Sequence, residues 1–490
     1  VAVVFTFCLS FPPATFAQIG GLAATSDSGS VVQVYVQRAL KSNHALQQET
    51  IRLERSLAAL RKARGAFLPS VDLEARYSRA KGGRTIDFPA GDLLNPVYST
   101  LNELTGQQRF SQTQNVSVPL LREEEQRTTL RLEQPVFVPK ILYNYRANKD
   151  QVAAKKAAVE ALRREVIRDV KVAYFNYLQA ERGVAILRAA ETLTEENLRT
   201  NRRLLQRAKV TKDVVLRAEA DVADLRQHRV EAEADRTVAR SYLNFLLNRP
   251  LDTPLQTPET LDAPSPSASV KATMAGTTGV AVWRQLQRAA TSDLDRLQDR
   301  AIATRPELER LTRSIDAAGH GVAAARADHW PDVVLSVEGG VQGDRYTFKD
   351  EGPFAVGSVV LRWNLFDGFR DRAEVQRAEL RRQRLTSQRE ELRKSIRMEV
   401  ERAQEKVQVA ETALVAATQR AEAARESYRV TRRRHEEGMI NQVTLVDART
   451  TLTDAELNLR STRYQYLKRL AELEFAVGTA GPYATAVDAR

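Results

Sequence analysis

The longest pattern in the chain is a four-three alternation of apolar residues. From Asp371 to Glu437 there is no Gly and no Pro, and Ile396, Val400, Ala403, Val407, Ala410, Leu414, Ala417, Ala421, Ala424 and Tyr428 follow one another three and four positions apart. An apolar residue every 3.5 positions, sustained this long, predicts a coiled-coil seam. The stretch 371–437 suffices for a helix of about 100 Å at 1.5 Å per residue. Much of the seam is Ala, so a partner helix can approach closely. A second seam, Val166, Val170, Ala173, Tyr177, Ala180, Val184 and Leu187, runs through a predicted long helix at 141–207. Both long helices end in short turns, Ala208-Lys209-Val210-Thr211 and Gly438-Met439-Ile440-Asn441, and helices at 213–248 and 442–477 follow. In the latter, Leu445, Leu452, Leu459, Tyr466 and Leu473 recur every seven residues, which predicts that it packs back on its predecessor. Shorter helices open each half, one with Ser42 as N-cap and one started by Thr304 with Pro306 just inside.

Elsewhere the period falls to two. Val71-Asp72-Leu73-Glu74-Ala75-Arg76-Tyr77 alternates strictly, as do Leu130-Arg131-Leu132-Glu133 and Val359-Val360-Leu361-Arg362-Trp363-Asn364-Leu365, and Val333 to Val341 does so more weakly. These predict four strands, each with one apolar face. Four strands cannot close a barrel, since the smallest common membrane barrels need about eight. Either they form a small sheet, or several chains each lend four strands to one barrel.

The two halves are copies. Leu46, Leu53, Ala63, Arg64, Pro69, Val71 and Leu73 align without a gap on Leu308, Ile315, Ala325, Arg326, Pro331, Val333 and Leu335. At a smaller offset, Val166, Val170, Ala173, Ala218, Leu243 and Phe245 fall on Ile396, Val400, Ala403, Ala448, Leu473 and Phe475. The first copy (18–248) therefore holds an insertion, which falls at 78–127, where Gly and Pro predict an extended loop or hairpin. The second copy spans 301–478. Between them, 249–300 is rich in Pro, Ser and Thr and reads as a linker, and 479–490 as a loose tail. The fold class is mainly α, a tandem repeat of long coiled-coil helices with four strands per chain.

Targeting and charge narrow the setting. Val1 to Phe11 is an apolar run too short to span a bilayer, followed by Pro12-Pro13 and small residues, so 1–17 reads as a signal peptide cleaved after Ala17. Cys8, the one cysteine, lies in that segment, so the mature chain would have no disulfide, thiolate metal site or cysteine nucleophile. Lys and Arg exceed Asp and Glu by 74 to 62, a net +12 that at first suggests nucleic acid. The basic residues are interspersed with acids along the helices, as in Glu399, Glu401-Arg402 and Glu405-Lys406, and so read as solvated faces. No nucleic acid is expected as a partner.

Catalytic chemistry is not in view. The histidines His44, His228, His320, His329 and His435 lack metal-ligand spacing, and Gly339-Gly340-Val341-Gln342-Gly343 lacks the spacing and following Lys of a phosphate loop. No Ser/His/Asp set with a nucleophile elbow is visible. The expectation is no enzyme, no cofactor and no metal.

Several pieces together carry a resemblance: Ala63-Arg64 with Leu68-Pro69, Ala325-Arg326 with Trp330-Pro331, Thr304-Arg305-Pro306-Glu307-Leu308, Trp363-Asn364-Leu365-Phe366-Asp367-Gly368, and Gly438 followed by Leu445-Val446-Asp447-Ala448. In this order and duplicated, they resemble the TolC-type outer-membrane efflux proteins over roughly Val36 to Gly478. The resemblance implies a homotrimer in the outer membrane, with three chains giving four strands each to a twelve-stranded β-barrel in contact with outer-membrane lipid. It implies that the long helices form an α-barrel across the periplasm, a passive conduit of an efflux or type I secretion system. The implied partners are a periplasmic adaptor protein and an inner-membrane transporter of RND or ABC type. By the same resemblance the turns Ala208, Lys209, Val210, Thr211, Gly438, Met439, Ile440 and Asn441 form the adaptor-facing tip. Asp447 matches an inward acid of the pore constriction, and Thr444 stands where some relatives have a second acid. His435 replaces a usual Tyr, and Ala208 a Gly.

Two other readings compete with the conduit. An exported coiled-coil scaffold would fold the strands into a small sheet, and a basic nucleic-acid-binding coiled coil would show Lys/Arg runs free of acids. The strands decide against the scaffold if they reach the roughly 9–11 residues that cross a membrane.

Overall fold

The structure, a computed structural model, describes residues 28–120, 123–257, 293–343 and 352–479. The expected signal peptide, most of the expected linker and nearly all of the tail lie outside the described residues. The first copy contains α1 (Ser28–Ser42), α2 (His44–Gly65), β1 (Ser70–Arg79), β2 (Thr85–Phe88), α3 (Ala90–Thr105), β3 (Val116–Pro119), β4 (Glu124–Phe137), α4 (Pro139–Gln206) and α5 (Lys212–Leu246). The second contains α6 (Leu294–Thr304), α7 (Pro306–Ala327), β5 (Asp332–Gly343), β6 (Pro353–Arg362), α8 (Arg370–Glu436) and α9 (Gln442–Val477). Thus α6 begins inside the stretch expected as linker. Two compact units result, and each draws on both copies.

One unit, 45–163 with 305–397, holds the sheet. Its strands pair in the order β1-β4-β5-β6, every pair antiparallel. They are 10, 14, 12 and 10 residues long, enough to cross a membrane. β4 is much longer than its alternating core Leu130–Glu133 predicts, because its polar start, Glu124 to Thr129, is held by ladders to β1 and β5. β6 stops at Arg362, opposite the first residue of β5, so Trp363 to Leu365 leave the expected strand for want of a partner.

Register sorts the side chains onto two faces. Val71 lies opposite Leu132, Leu73 opposite Leu130, Leu132 opposite Val337, and Leu335 opposite Val359, which makes one face apolar. Val71, Leu73, Leu130, Val359 and Leu361 on it are exposed. The other face carries Asp72, Glu74, Arg76, Glu133 and Ser336, with Arg127 and Arg131 both paired to Glu338 at 2.6 and 2.9 Å. The edges β1 and β6 have no strand neighbour among the described residues.

All four connections between this sheet and the helices that adjoin it lie at one end: α2 enters β1, β4 leads to α4, α7 enters β5, and β6 leads to α8. The turn into α8 explains the aromatic-rich motif there. Gly368 and Phe369 both have positive φ, and the Asp367 carboxylate accepts the Asp371 backbone N–H at 2.9 Å, capping the new helix. The Trp363 indole donates to the His329 carbonyl at 3.1 Å, which ties the two strand–helix junctions of the second copy together. At the opposite end the insertion, expected as an extended loop or hairpin, holds the antiparallel pair β2 and β3, and α3, which was not expected, lies between them in sequence.

The described residues of the other unit, 28–44, 164–257, 293–304 and 398–479, are mostly helical. The duplication is visible here bond by bond. Ser42 donates its hydroxyl to the Arg38 and Leu247 carbonyls, and Thr304 donates to those of Arg300 and Val477. These hydroxyls therefore pin the ends of α1 and α6 onto the ends of α5 and α9. They do not cap the following helices as expected, and Arg305 is the residue that precedes α7, with Pro306 in its first turn. The seams are buried as predicted: Val170, Ala173, Val184, Val400, Val407 and Ala421 are nearly inaccessible. α4 packs on α5 through Leu198, Val215, Ala218 and Val222, and α8 on α9 through Ala421, Ala424 and Ala455 with Leu452 and Leu459.

Candidate functional site

The two hairpin turns close in the same way. The Lys209 N–H bonds the Leu204 carbonyl and the Ala208 N–H that of Leu205, and Met439 and Gly438 do the same to Arg434 and His435. Each is a Schellman motif, which needs a left-handed residue after the helix. Gly438 supplies it at φ 74°, whereas Ala208 adopts φ 53° with a Cβ. That difference costs the first turn about 1–2 kcal/mol of backbone strain. Ala208, Lys209, Thr211, Gly438, Met439 and Asn441 are exposed, while Val210 and Ile440 are half-buried at the same place in each turn.

After the second turn, Asn441 caps α9. Its side-chain oxygen accepts the Thr444 N–H at 3.0 Å and the Thr444 hydroxyl at 2.9 Å. Thr444 thus has its hydroxyl committed to the cap. Asp447, one turn on, is exposed. It stands close enough to Asp221 of α5 to act on it: burial pushes the Asp221 carboxyl above its usual range, Asp224 and Asp447 add to that, and Arg217 and Arg449 oppose it. The structure therefore places Asp447 in a mixed-charge cluster with four residues that the sequence pattern did not single out.

Arg449 is the most constrained member. Its guanidinium is largely buried, which lowers its affinity for a proton, and it donates to the Ala190 carbonyl of α4 at 2.8 Å. This is one rung of a polar ladder between α9 and α4. Gln442 donates to Asn197 at 2.5 Å, Gln179 to Ser461 at 3.1 Å, Lys468 to Asn176 at 2.8 Å and to Gln179 at 3.0 Å, and Lys171 pairs with Glu474 at 2.6 Å. Ala190, Thr194, Asn197 and Asn201 form one stripe of α4 at three-four spacing; Asn201 is buried with its amide nitrogen unbonded. The contrast with the hairpins matters. Within each hairpin the helices meet through a buried seam of Ala, Leu and Val, flanked by partly exposed ion pairs such as Arg202–Glu219 and Arg425–Glu456; between the copies, α9 meets α4 through this row of hydrogen bonds. Polar contacts of this kind can be exchanged for water at small net change, whereas apolar seams cannot.

The sequence signal for Arg449 is its position, four residues after Leu445 and three before Leu452, beside the apolar stripe. Among the described residues no group of three or more His, Cys, Asp or Glu side chains could hold a metal ion, and no helix is long and apolar enough to cross a membrane. The sheet unit has a cavity of about 890 Å³ at the helix end of the sheet, lined by Phe67, Phe137, Tyr143 and Trp330 and by Arg326, Glu379 and Arg382 as well.

Comparison with known proteins places this geometry. The family described as outer membrane efflux protein matches residues 35–249 and 297–479. The alkaline protease secretion protein AprF of Pseudomonas aeruginosa is 22% identical over 353 residues, 72% of this chain and 69% of the relative. The fold is that of the Campylobacter jejuni CmeC outer membrane channel, at TM-score 0.71 and 16% identity over 96% of this chain and 93% of that one. It is equally that of the Neisseria gonorrhoeae MtrE outer membrane channel in its open state, at TM-score 0.69 and 19% identity over 94% and 93%.

Proposed function

The chain belongs to the outer membrane efflux protein family, and from that premise we propose that three copies form a continuous passive conduit across the outer membrane and periplasm. The observation that carries this is the sheet. Its apolar face is exposed, its opposite face is charged, and β1 and β6 are both edges without a strand partner among the described residues. An open apolar edge is a liability in water, and closure into a barrel removes it. Three sheets joined edge to edge give twelve strands, with the apolar face to lipid and the Arg127–Glu338–Arg131 face to the pore. Trp330, Trp363, Phe366 and Phe369, exposed at the helix end of the sheet, suit the aromatic girdle of a membrane interface.

The helical unit supplies the periplasmic gate in this reading. The turns at 208–211 and 438–441 are where a periplasmic adaptor docks, and an inner-membrane transporter of RND or ABC type supplies the energy. Asp447 lines the constriction, where three copies of its carboxylate favour cations. Opening moves the apolar α8/α9 hairpin as a body, by breaking the polar ladder to α4.

Two measurements test this. Outer-membrane fractionation followed by sizing in detergent is expected to give a membrane-bound trimer, and a soluble or monomeric product would refute the conduit. Asp447→Ala is expected to leave the trimer intact while raising leak through the resting channel severalfold and weakening its cation preference. Unchanged conductance and selectivity would remove Asp447 from the gate.

A further inference from the structure

The insertion between β1 and β4 contains a helix turned inside out. α3 directs its polar residues at its own loop. Asn95 donates to the Thr113 carbonyl at 3.0 Å and accepts the Thr113 N–H at 2.8 Å, and Asn102 makes the same pair of bonds with Phe110 at 2.8 and 3.0 Å. The first turn is tied to Asn115 through the Asp92 N–H and carboxylate. A Cβ on Gly91 would fall 2.4 Å from the Thr113 carbonyl oxygen, so the start of the helix sits directly on this loop. With the polar side fastened, the apolar side faces outward: Leu93 is 63%, Val97 53% and Leu104 80% exposed, with Leu94 beside them.

We propose that this face is covered by α3 of the neighbouring copies, so that three helices pack together over the outer mouth of the barrel; the inference rests on the trimeric reading above. Three observations favour this occupant. The insertion leaves the sheet from β1, an edge strand, so it stands where one copy must meet the next. It lies at the end of the sheet opposite the helices, the outer end in that reading. A helix that rests on a lipid surface carries Lys or Arg on its polar face, whereas α3 has Asp92 and Glu103 and no basic residue. The dimensions agree. Twelve strands about 4.8 Å apart, tilted about 40°, make a mouth roughly 24 Å across. The 16 residues of α3 span about 24 Å at 1.5 Å each.

The test uses the full chain in outer membranes, with Val97→Cys in a Cys8→Ser background and a short bismaleimide. A covalent dimer from most of the protein is expected, and adding Leu104→Glu should cut its yield at least fivefold while the assembly still sizes as a trimer. A trimer whose introduced thiol reacts fully with a monofunctional maleimide but forms no dimer overturns the proposal and leaves the conduit standing. Labelling of the same thiol from a lipid-borne reagent also overturns it, in favour of a lipid-covered face. A monomer in detergent removes both readings together.

Discussion

Arg449→Ala is expected to raise the conductance of the resting channel by about tenfold per protomer released, with trimers assembled normally. The magnitude follows from the bond. A hydrogen bond from a charged group contributes about 1.5–3 kcal/mol, and about 1.4 kcal/mol is a factor of ten in a two-state equilibrium. The Ala190 carbonyl that Arg449 reaches lies inside α4, several turns before its end, so the guanidinium adds a contact between copies without supporting the helix itself. Its loss should therefore act on the position of the α8/α9 hairpin and spare the fold. Arg425→Ala is the control. Arg425 pairs with Glu456 at 3.0 Å, both side chains partly exposed and both within the α8/α9 hairpin, and its removal should leave conductance unchanged. Single-channel recording in planar bilayers separates the two. If Arg449→Ala and Arg425→Ala behave alike, the ladder is not the gate.

What could be read from the sequence divides along a physical line. The seams were legible because a 3.5 period leaves no alternative: Val400, Val407 and Ala421 have no accessible surface. The strand cores were legible wherever apolar and polar residues alternate. The first half of β4 was not, because Glu124-Glu125-Gln126-Arg127-Thr128-Thr129 carries no apolar period and becomes a strand only through its two neighbours. α3 escaped for the opposite reason. Its leucines have a helical period, but the Gly and Pro around them mask it, and its polarity is reversed relative to a core helix. In the candidate site, the turns and Asp447 were reached through resemblance. Arg449 carries only its place beside the apolar stripe, and Asp221 and Arg217 not even that, since a contact between α9 and the other copy's α4 and α5 has no signature in either stretch alone. Thr444 shows the converse. It stands at a position of interest, yet its hydroxyl is explained by a local cap three residues away.

Glu474→Ala should be the most destabilising single change in the ladder, at about 3–5 kcal/mol. Lys171 and Glu474 pair at 2.6 Å with side chains only 9% and 8% exposed. Removing the carboxylate takes its 2.6 Å counter-charge from a buried ammonium, and burial of a charge is far more costly than loss of one hydrogen bond. The same chemistry at the surface is worth little. Arg429 and Glu426 pair at 2.5 Å but are 59% and 60% exposed, so Glu426→Ala should leave the unfolding midpoint essentially unchanged. The double variant Lys171→Met with Glu474→Leu decides between a pair that holds the copies together and one that merely tolerates burial. Replacing both charges by apolar groups of similar size is expected to restore stability to within about 1 kcal/mol of the native chain, because no charge then remains to be desolvated. Urea unfolding of the detergent-solubilised protein, followed by tryptophan fluorescence, measures the three variants against the native chain. If the double variant stays as unstable as Glu474→Ala, the pair itself anchors α9 to α4, and the ladder's rigid end lies at Glu474. If it recovers, the anchoring there comes from the apolar packing of Leu470, Leu473 and Val477, all nearly inaccessible. The ladder's hold on the hairpin would then rest on its other rungs, Arg449 and Gln442 nearest the turn, and these are the rungs a gate must release.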